Sequence, residues 1–154
     1  MPPLVIPSLD SLKELVGQEV GSSEWFAITQ DRIQRFAEAT EDRQWIHLDR
    51  ERAEREAPYG TTIAHGFLTL SLISSFAKQV IEIRTGVRMA VNYGLNRVRF
   101  PAPVLVDSRI RARFTLVALK EISGAVEATF SVLVEVERME KPCCAAEWVV
   151  RYYR

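Results

Sequence analysis

An aspartate and a histidine five residues apart, Asp42 and His47, occupy the stretch Glu41-Asp42-Arg43-Gln44-Trp45-Ile46-His47-Leu48-Asp49. His47 is one of only two histidines in the chain, and apolar Trp45, Ile46 and Leu48 flank it. A loop of this composition can bury a carboxylate and an imidazole side by side, where each moves the other's pKa. Together the two groups can hold one water, accept a proton from it and return a proton elsewhere. That is acid–base equipment without a nucleophile. The plainer alternative is a histidine that serves only as a structural hydrogen-bonder.

The second feature is His65-Gly66, at the head of the uncharged run Gly66 to Ala77. If that run is a helix, its first amides lack internal partners and carry the positive end of the helix dipole. Gly66 has no side chain, so a substrate carbonyl could approach its N–H and find an oxyanion site. The ordinary alternative is a glycine chosen for the turn into the helix. His65 reads as structural.

These groups need elements to hold them. Ile33, Phe36, Ala37 and Thr40 form an i, i+3, i+4, i+7 stripe, so a helix capped by Thr29 leads into the Asp42 loop. Glu41 to Leu48 reads as a loop. Asp49 caps a short charged helix, Arg50 to Ala57, stopped by Pro58. The stretch from Gly66 to Ala77 is apolar around every side of a helical projection, which predicts a buried central helix. It is shorter than the roughly twenty residues that cross a bilayer. Its serines Ser71, Ser74 and Ser75 share one face, which either admits another element closely or lines a cavity.

Beyond the helix the period changes to two. Met89, Val91, Tyr93 and Leu95 alternate, and Val98 and Phe100 continue on the opposite parity, predicting a bulge near residues 94–96. Ile110 to Ala118, Val126 to Val136 and Ala146 to Tyr152 alternate likewise, with Arg109, Arg111, Arg113 and Glu127, Glu135, Glu137 on the opposite face. Antiparallel strands with one covered face follow, the charges paired across strands. An apolar helix and a long sheet bury each other's surfaces when the sheet curls around the helix. The fold class is therefore α+β, in one domain spanning 1–154.

The totals narrow the partners. Twenty basic and twenty acidic residues leave a net charge of zero, which gives no reason to expect nucleic acid or an anionic membrane as partner. Cys143 and Cys144 are adjacent, which disfavours a bridge between them and is no metal set. Free thiols and the absence of a signal-peptide pattern predict a cytoplasmic protein.

The order Phe36-Ala37-x-x-Thr40-x-Asp42-x-x-x-Ile46-His47-Leu48-Asp49, followed by Gly60-x-x-Ile63-Ala64-His65-Gly66-Phe67-Leu68-x-x-Ser71-Leu72, resembles the MaoC-like hydratases, the (R)-specific enoyl-CoA hydratase group. Arg97 to Asp107 is similar to the strand and turn that follow the central helix in that family. The resemblance implies a hot-dog fold, a curved antiparallel sheet wrapped around one central helix. It implies that Asp42 and His47 are the catalytic dyad, that Gly66 binds the thioester carbonyl and that Ser74 supports the site. The implied reaction adds water to a trans-2-enoyl-CoA, giving the (3R)-3-hydroxyacyl thioester, with no metal or redox cofactor. A homodimer is implied as well. The family loop usually reads Gly-Asp-x-Asn-Pro-x-His, and here Glu41, Gln44 and Trp45 replace its glycine, asparagine and proline. Two alternatives stay open: hydrolysis of an acyl-CoA thioester on the same fold, and a non-catalytic acyl-thioester binding module.

Overall fold

The computed structural model describes all 154 residues. Its main sheet takes β2 (Glu19–Ser22), β5 (Met89–Arg99), β6 (Arg109–Ile122), β7 (Ala125–Val136) and β8 (Cys144–Tyr153) in the order β2-β6-β7-β8-β5, with β3 (Phe26–Ala27) also on β6. Every pairing in that sheet is antiparallel. A separate parallel pair joins β1 (Leu4–Ile6) to β4 (Ile81–Ile83). The first turn-like segment, Leu9–Leu15, is a 3-10 helix.

Alternation works as the sequence requires in β6 and β7. Ile110, Ala112, Phe114 and Leu116 are buried opposite Phe130, Val132, Val134 and Val136. Phe114, Phe130 and Trp148 interlock on the inner face, with centroids 5.7–6.4 Å apart. On the outer face Arg109 pairs with Glu137 and Arg111 with Glu135, the expected cross-strand ion pairs. Glu127 instead meets Arg151 of β8, while Arg113 reaches Glu135 and Glu19.

The central helix lies on the inner face, but in two pieces. α4 (Gly66–Ser71) and α5 (Ile73–Val80) meet at Leu72, whose N–H is shared between the carbonyls of Leu68 and Thr69. Nor is it enclosed on all sides. Leu68, Ile73, Phe76 and Val80 are buried, and a fully buried phenylalanine such as Phe76 contributes roughly 3–5 kcal/mol. Phe67, Ser71 and Ser75 face outward. An uncharged surface reads the same in sequence whether it meets the chain's own sheet or lies bare.

β5 departs from expectation in the same way. Two register shifts, at Asn92/Gly94 and Leu95/Arg97, place a bulge where the parity change predicts one and add a second. Yet Met89, Val91, Tyr93 and Leu95 are all exposed: on this edge strand the pleat turns Ala90 and Asn92 toward α5, while Val91 and Tyr93 lie with Arg151 on the other face. Both cysteines are buried and free, with thiol pKa values pushed by burial to about 12 for Cys143 and about 11 for Cys144. They stay protonated and inert at neutral pH. No helix is long and apolar enough to cross a membrane.

Candidate functional site

Three helices deliver the site to the head of α4. Thr29 Oγ1 caps α1 (Gln30–Thr40) by accepting from Arg32 N–H. α1 ends at Glu41, whose φ of 62° and ψ of 12° lie in the left-handed region. That reversal turns the chain into Asp42, and it favours glycine because an L side chain crowds the carbonyl there. The stretch expected as a loop then contains one helical turn, α2 (Trp45–Leu48). α3 (Arg50–Glu56) follows directly, capped by Asp49 as expected. A single turn carries no periodicity, so α2 left no trace in the sequence pattern.

His47, at 6% exposure, is held on both sides of its residue. Its Nδ1 lies 2.7 Å from the carbonyl of Ile63, so Nδ1 carries the hydrogen and Nε2 presents a lone pair. Its own carbonyl accepts from Gln30 Nε2 at 2.7 Å, and Gln30 Oε1 accepts from Thr62 Oγ1 at 2.6 Å. Gln30 thus ties α1, α2 and the strand-like segment before α4 into one unit. Sequence reasoning placed Gln30 only in the first turn of a helix; its reach to residue 62 had no local signal.

Asp42 is exposed, and its Oδ1 accepts from the Gln44 amide at 3.5 Å. Ligating atoms of Asp42, His47 and His65 all lie within 4.8 Å of one another. The rings of His47 and His65 stack at 3.8 Å with an interplanar angle of 23°. The pKa of His47 is lowered, chiefly by burial and also by the neighbouring His65; the hydrogen bond to Ile63 and the charge of Asp42 act against this. His47 is therefore neutral at pH 7, with a basic nitrogen beside a carboxylate. Together they can bind a water through two acceptors and move one proton. The three residues are of metal-binding types, and one nitrogen of each ring is already engaged by a main-chain carbonyl, His47 Nδ1 by that of Ile63 and His65 Nε2 by that of Asp42.

Gly66 stands one residue beyond His65, at the first position of α4. Its amide has no acceptor within the chain. Its φ is not positive, so the turn itself does not demand glycine. Space is tight rather than forbidding: a Cβ there would come to 3.1 Å from the Phe100 ring, which would have to shift slightly. A cavity of about 290 Å³ lies beside it, bordered by Tyr59, Thr69, Phe100 and Cys143.

Ser74 lies apart from this cluster. Its Oγ donates to Asn92 Oδ1 at 3.1 Å, and Trp148 Nε1 donates to the same oxygen at 3.0 Å. The three residues line both an apolar cavity of about 330 Å³, between α5 and the sheet, and a smaller one of about 210 Å³ toward Tyr93 and Leu95. Of the four residues singled out in the sequence, Asp42 and His47 come together, Gly66 follows directly on His65, whose ring stacks on His47, and Ser74 lines the cavity between α5 and the sheet instead. Asn92, the acceptor at its centre, was missed because an asparagine within a strand pattern carries no signal of its own.

A family model described as a MaoC-like domain matches residues 11–138. The 3-hydroxyacyl-thioester dehydratase Z of Mycobacterium tuberculosis is 51% identical over 146 residues, covering 94% of this chain and 95% of that one. Nodulation protein N of Rhizobium leguminosarum is 44% identical over 144 residues, 92% of this chain and 89% of its own. Among solved structures, the monoamine oxidase regulatory protein of Archaeoglobus fulgidus superposes with a TM-score of 0.80 at 21% identity, covering 100% of this chain and 99% of that one. At that identity the likeness speaks for the fold alone.

Proposed function

The chain belongs to the MaoC-like domain family, and from that premise we propose that it is a hydro-lyase, an (R)-specific enoyl-CoA hydratase. It adds water to a trans-2-enoyl thioester of coenzyme A and, in reverse, dehydrates the (3R)-3-hydroxyacyl thioester. The observation that carries this reading is the meeting of Asp42 and His47 beside His65, directly after which Gly66 opens α4 with an amide free of any acceptor in the chain. The name of the mycobacterial relative, a 3-hydroxyacyl-thioester dehydratase, supports the same class.

In the proposed reaction Asp42 and the His47 Nε2 lone pair hold the water and take its proton as oxygen attacks C3. A proton is delivered to C2 by the same pair, so no net proton is gained or lost. Enolate character on the thioester oxygen is stabilised by the Gly66 N–H and the positive end of α4. The apolar cavity behind Ser74 and Trp148 suits the acyl tail. A nucleophile is not needed, since water is the group added.

The functional unit we propose is a homodimer. β5 offers an unpaired edge eleven residues long, with Met89, Val91, Tyr93 and Leu95 exposed along it. Phe67 at 69% exposure and the outward serines of α4 and α5 lie bare as well. An edge this long and apolar is a pairing surface, and a second copy supplies a matching one.

The test follows enoyl absorbance with crotonyl-CoA and then a longer 2-enoyl-CoA, beside the Asp42→Asn variant. Rapid loss with wild type only, giving a (3R) product, is the expected result. Release of free CoA thiol from a saturated acyl-CoA, with no hydration of either enoyl substrate, would instead establish a thioesterase.

A further inference from the structure

We propose that His65 is a positioning residue for the site: it anchors the Asp42 main chain by donating Nε2–H to the Asp42 carbonyl, from a ring stacked on His47. This rests on the hydratase reading above for its catalytic consequence, though not for the anchoring itself. Nε2 lies 2.9 Å from that carbonyl, across 23 residues of sequence. The His47 ring lies on one side at 3.8 Å, and Phe36 of α1 is 4.9 Å away. One side chain at the head of α4 therefore touches the residue carrying the carboxylate, the imidazole, and the helix that leads into both.

Asp42 needs such an anchor. Its other hydrogen bonds, from its own N–H to Thr40 Oγ1 and from the Gln44 amide to its Oδ1, are both 3.5 Å, at the limit of usefulness. His47, by contrast, has two bonds of 2.7 Å through its ring and its carbonyl. So the carboxylate's place relative to the imidazole depends on what holds the loop, and the His65 contact is the shortest bond that does.

A purely packing role does not account for the residue. His65 is 3% exposed, and its Nδ1 has no hydrogen-bond partner. A buried, unpaired ring nitrogen carries a desolvation cost that phenylalanine would avoid between two rings. What phenylalanine would lack is the Nε2–H directed at Asp42. The residue sits next to Gly66, so the same helix start that offers its amide to the thioester also fixes the water-binding carboxylate. Small misplacement of a reacting group lowers kcat far more than it weakens binding.

The experiment compares His65→Phe, which keeps a ring against His47 and removes the donor, with His65→Gln, which keeps an N–H near the same place. Hydration kinetics are read alongside thermal melting and 15N relaxation of the Asp42, Arg43 and Gln44 amides. The expected result for His65→Phe is a fall in kcat of at least about tenfold with KM nearly unchanged, and greater mobility at the three amides. His65→Gln is expected to restore much of both. A His65→Phe enzyme with wild-type kcat and an unchanged loop would overturn the proposal, as would two variants impaired equally and in step with lost stability. Should wild type hydrate no enoyl thioester, the hydratase reading fails. The amide mobility then still decides whether His65 anchors Asp42.

Discussion

In the proposed hydration Asp42 and His47 would divide the labour by environment. The carboxylate is exposed and loosely held, while the imidazole is buried and fixed in one tautomer by the Ile63 carbonyl. Asp42→Asn keeps the shape and removes the charge, so kcat should fall by roughly 10²–10⁴-fold with KM little altered. Steady-state hydration kinetics check this. His47 predicts a pH dependence in two quantities. As a base it must be neutral, and its folded pKa lies below the ordinary 6.5, so kcat/KM should hold below pH 6.5 before falling. For stability the sign is the same. Between the folded pKa and about 6.5 the unfolded chain binds the extra proton, so stability drops as pH falls through about 6.5 and levels off below the folded value. Urea unfolding at a series of pH values, with His47→Gln as control, measures it. Ser74 stands differently. Its hydroxyl shares Asn92 Oδ1 with Trp148, so Ser74→Ala leaves that acceptor paired. The variant should lose no more than about tenfold in kcat, matching one hydrogen bond of about 1 kcal/mol; a loss equal to that of Asp42→Asn would place Ser74 in the reaction itself.

At the scale of elements, the sequence pattern was informative wherever burial repeats at a fixed period. The α1 stripe, its Thr29 cap, the Asp49 cap of α3 and the alternation of β6 and β7 were all legible for that reason. What escaped has physical causes. α2 is too short to show a period, and the Leu72 break interrupts a run whose composition is helical throughout. Gln30, His65 and Asn92 act over 32, 23 and 18 residues of separation, which no local window contains. One departure from the family loop now has a physical reading. Glu41 stands in a left-handed conformation where the family has glycine. Glu41→Gly should therefore be neutral to stabilising, by up to about 1 kcal/mol or a few degrees of melting temperature, without loss of activity. Differential scanning calorimetry is the check. Gly66 makes the opposite case. Its backbone is ordinary, and the Phe100 ring is 39% exposed and can yield. Gly66→Ala should fold with little loss of stability while obstructing the approach to its amide, lowering kcat/KM by an amount comparable to losing an oxyanion donor, about 10²-fold or more.

At the scale of the whole molecule, the two places where an apolar sequence failed to become a buried surface lie on neighbouring elements. β5 is exposed from Met89 to Leu95, and α4 and α5 turn Phe67, Ser71 and Ser75 outward. Ser74 and Asn92 join the helix to the strand between them. A second copy against the β5 edge, as in the proposed homodimer, would satisfy the free main-chain groups of that edge and extend the sheet. Natural edges that avoid pairing carry charged side chains, and this one carries none from Met89 to Asn96. The wild type should therefore sediment at twice the 17.5 kDa chain mass. Val91→Lys with Leu95→Lys puts two like charges into the proposed interface at positions already exposed in the monomer. The double variant should sediment as a single chain with its circular dichroism retained. If it remained a dimer, the β5 edge would not be the contact, and the bare surface of α4 and α5 would have to meet a partner by itself.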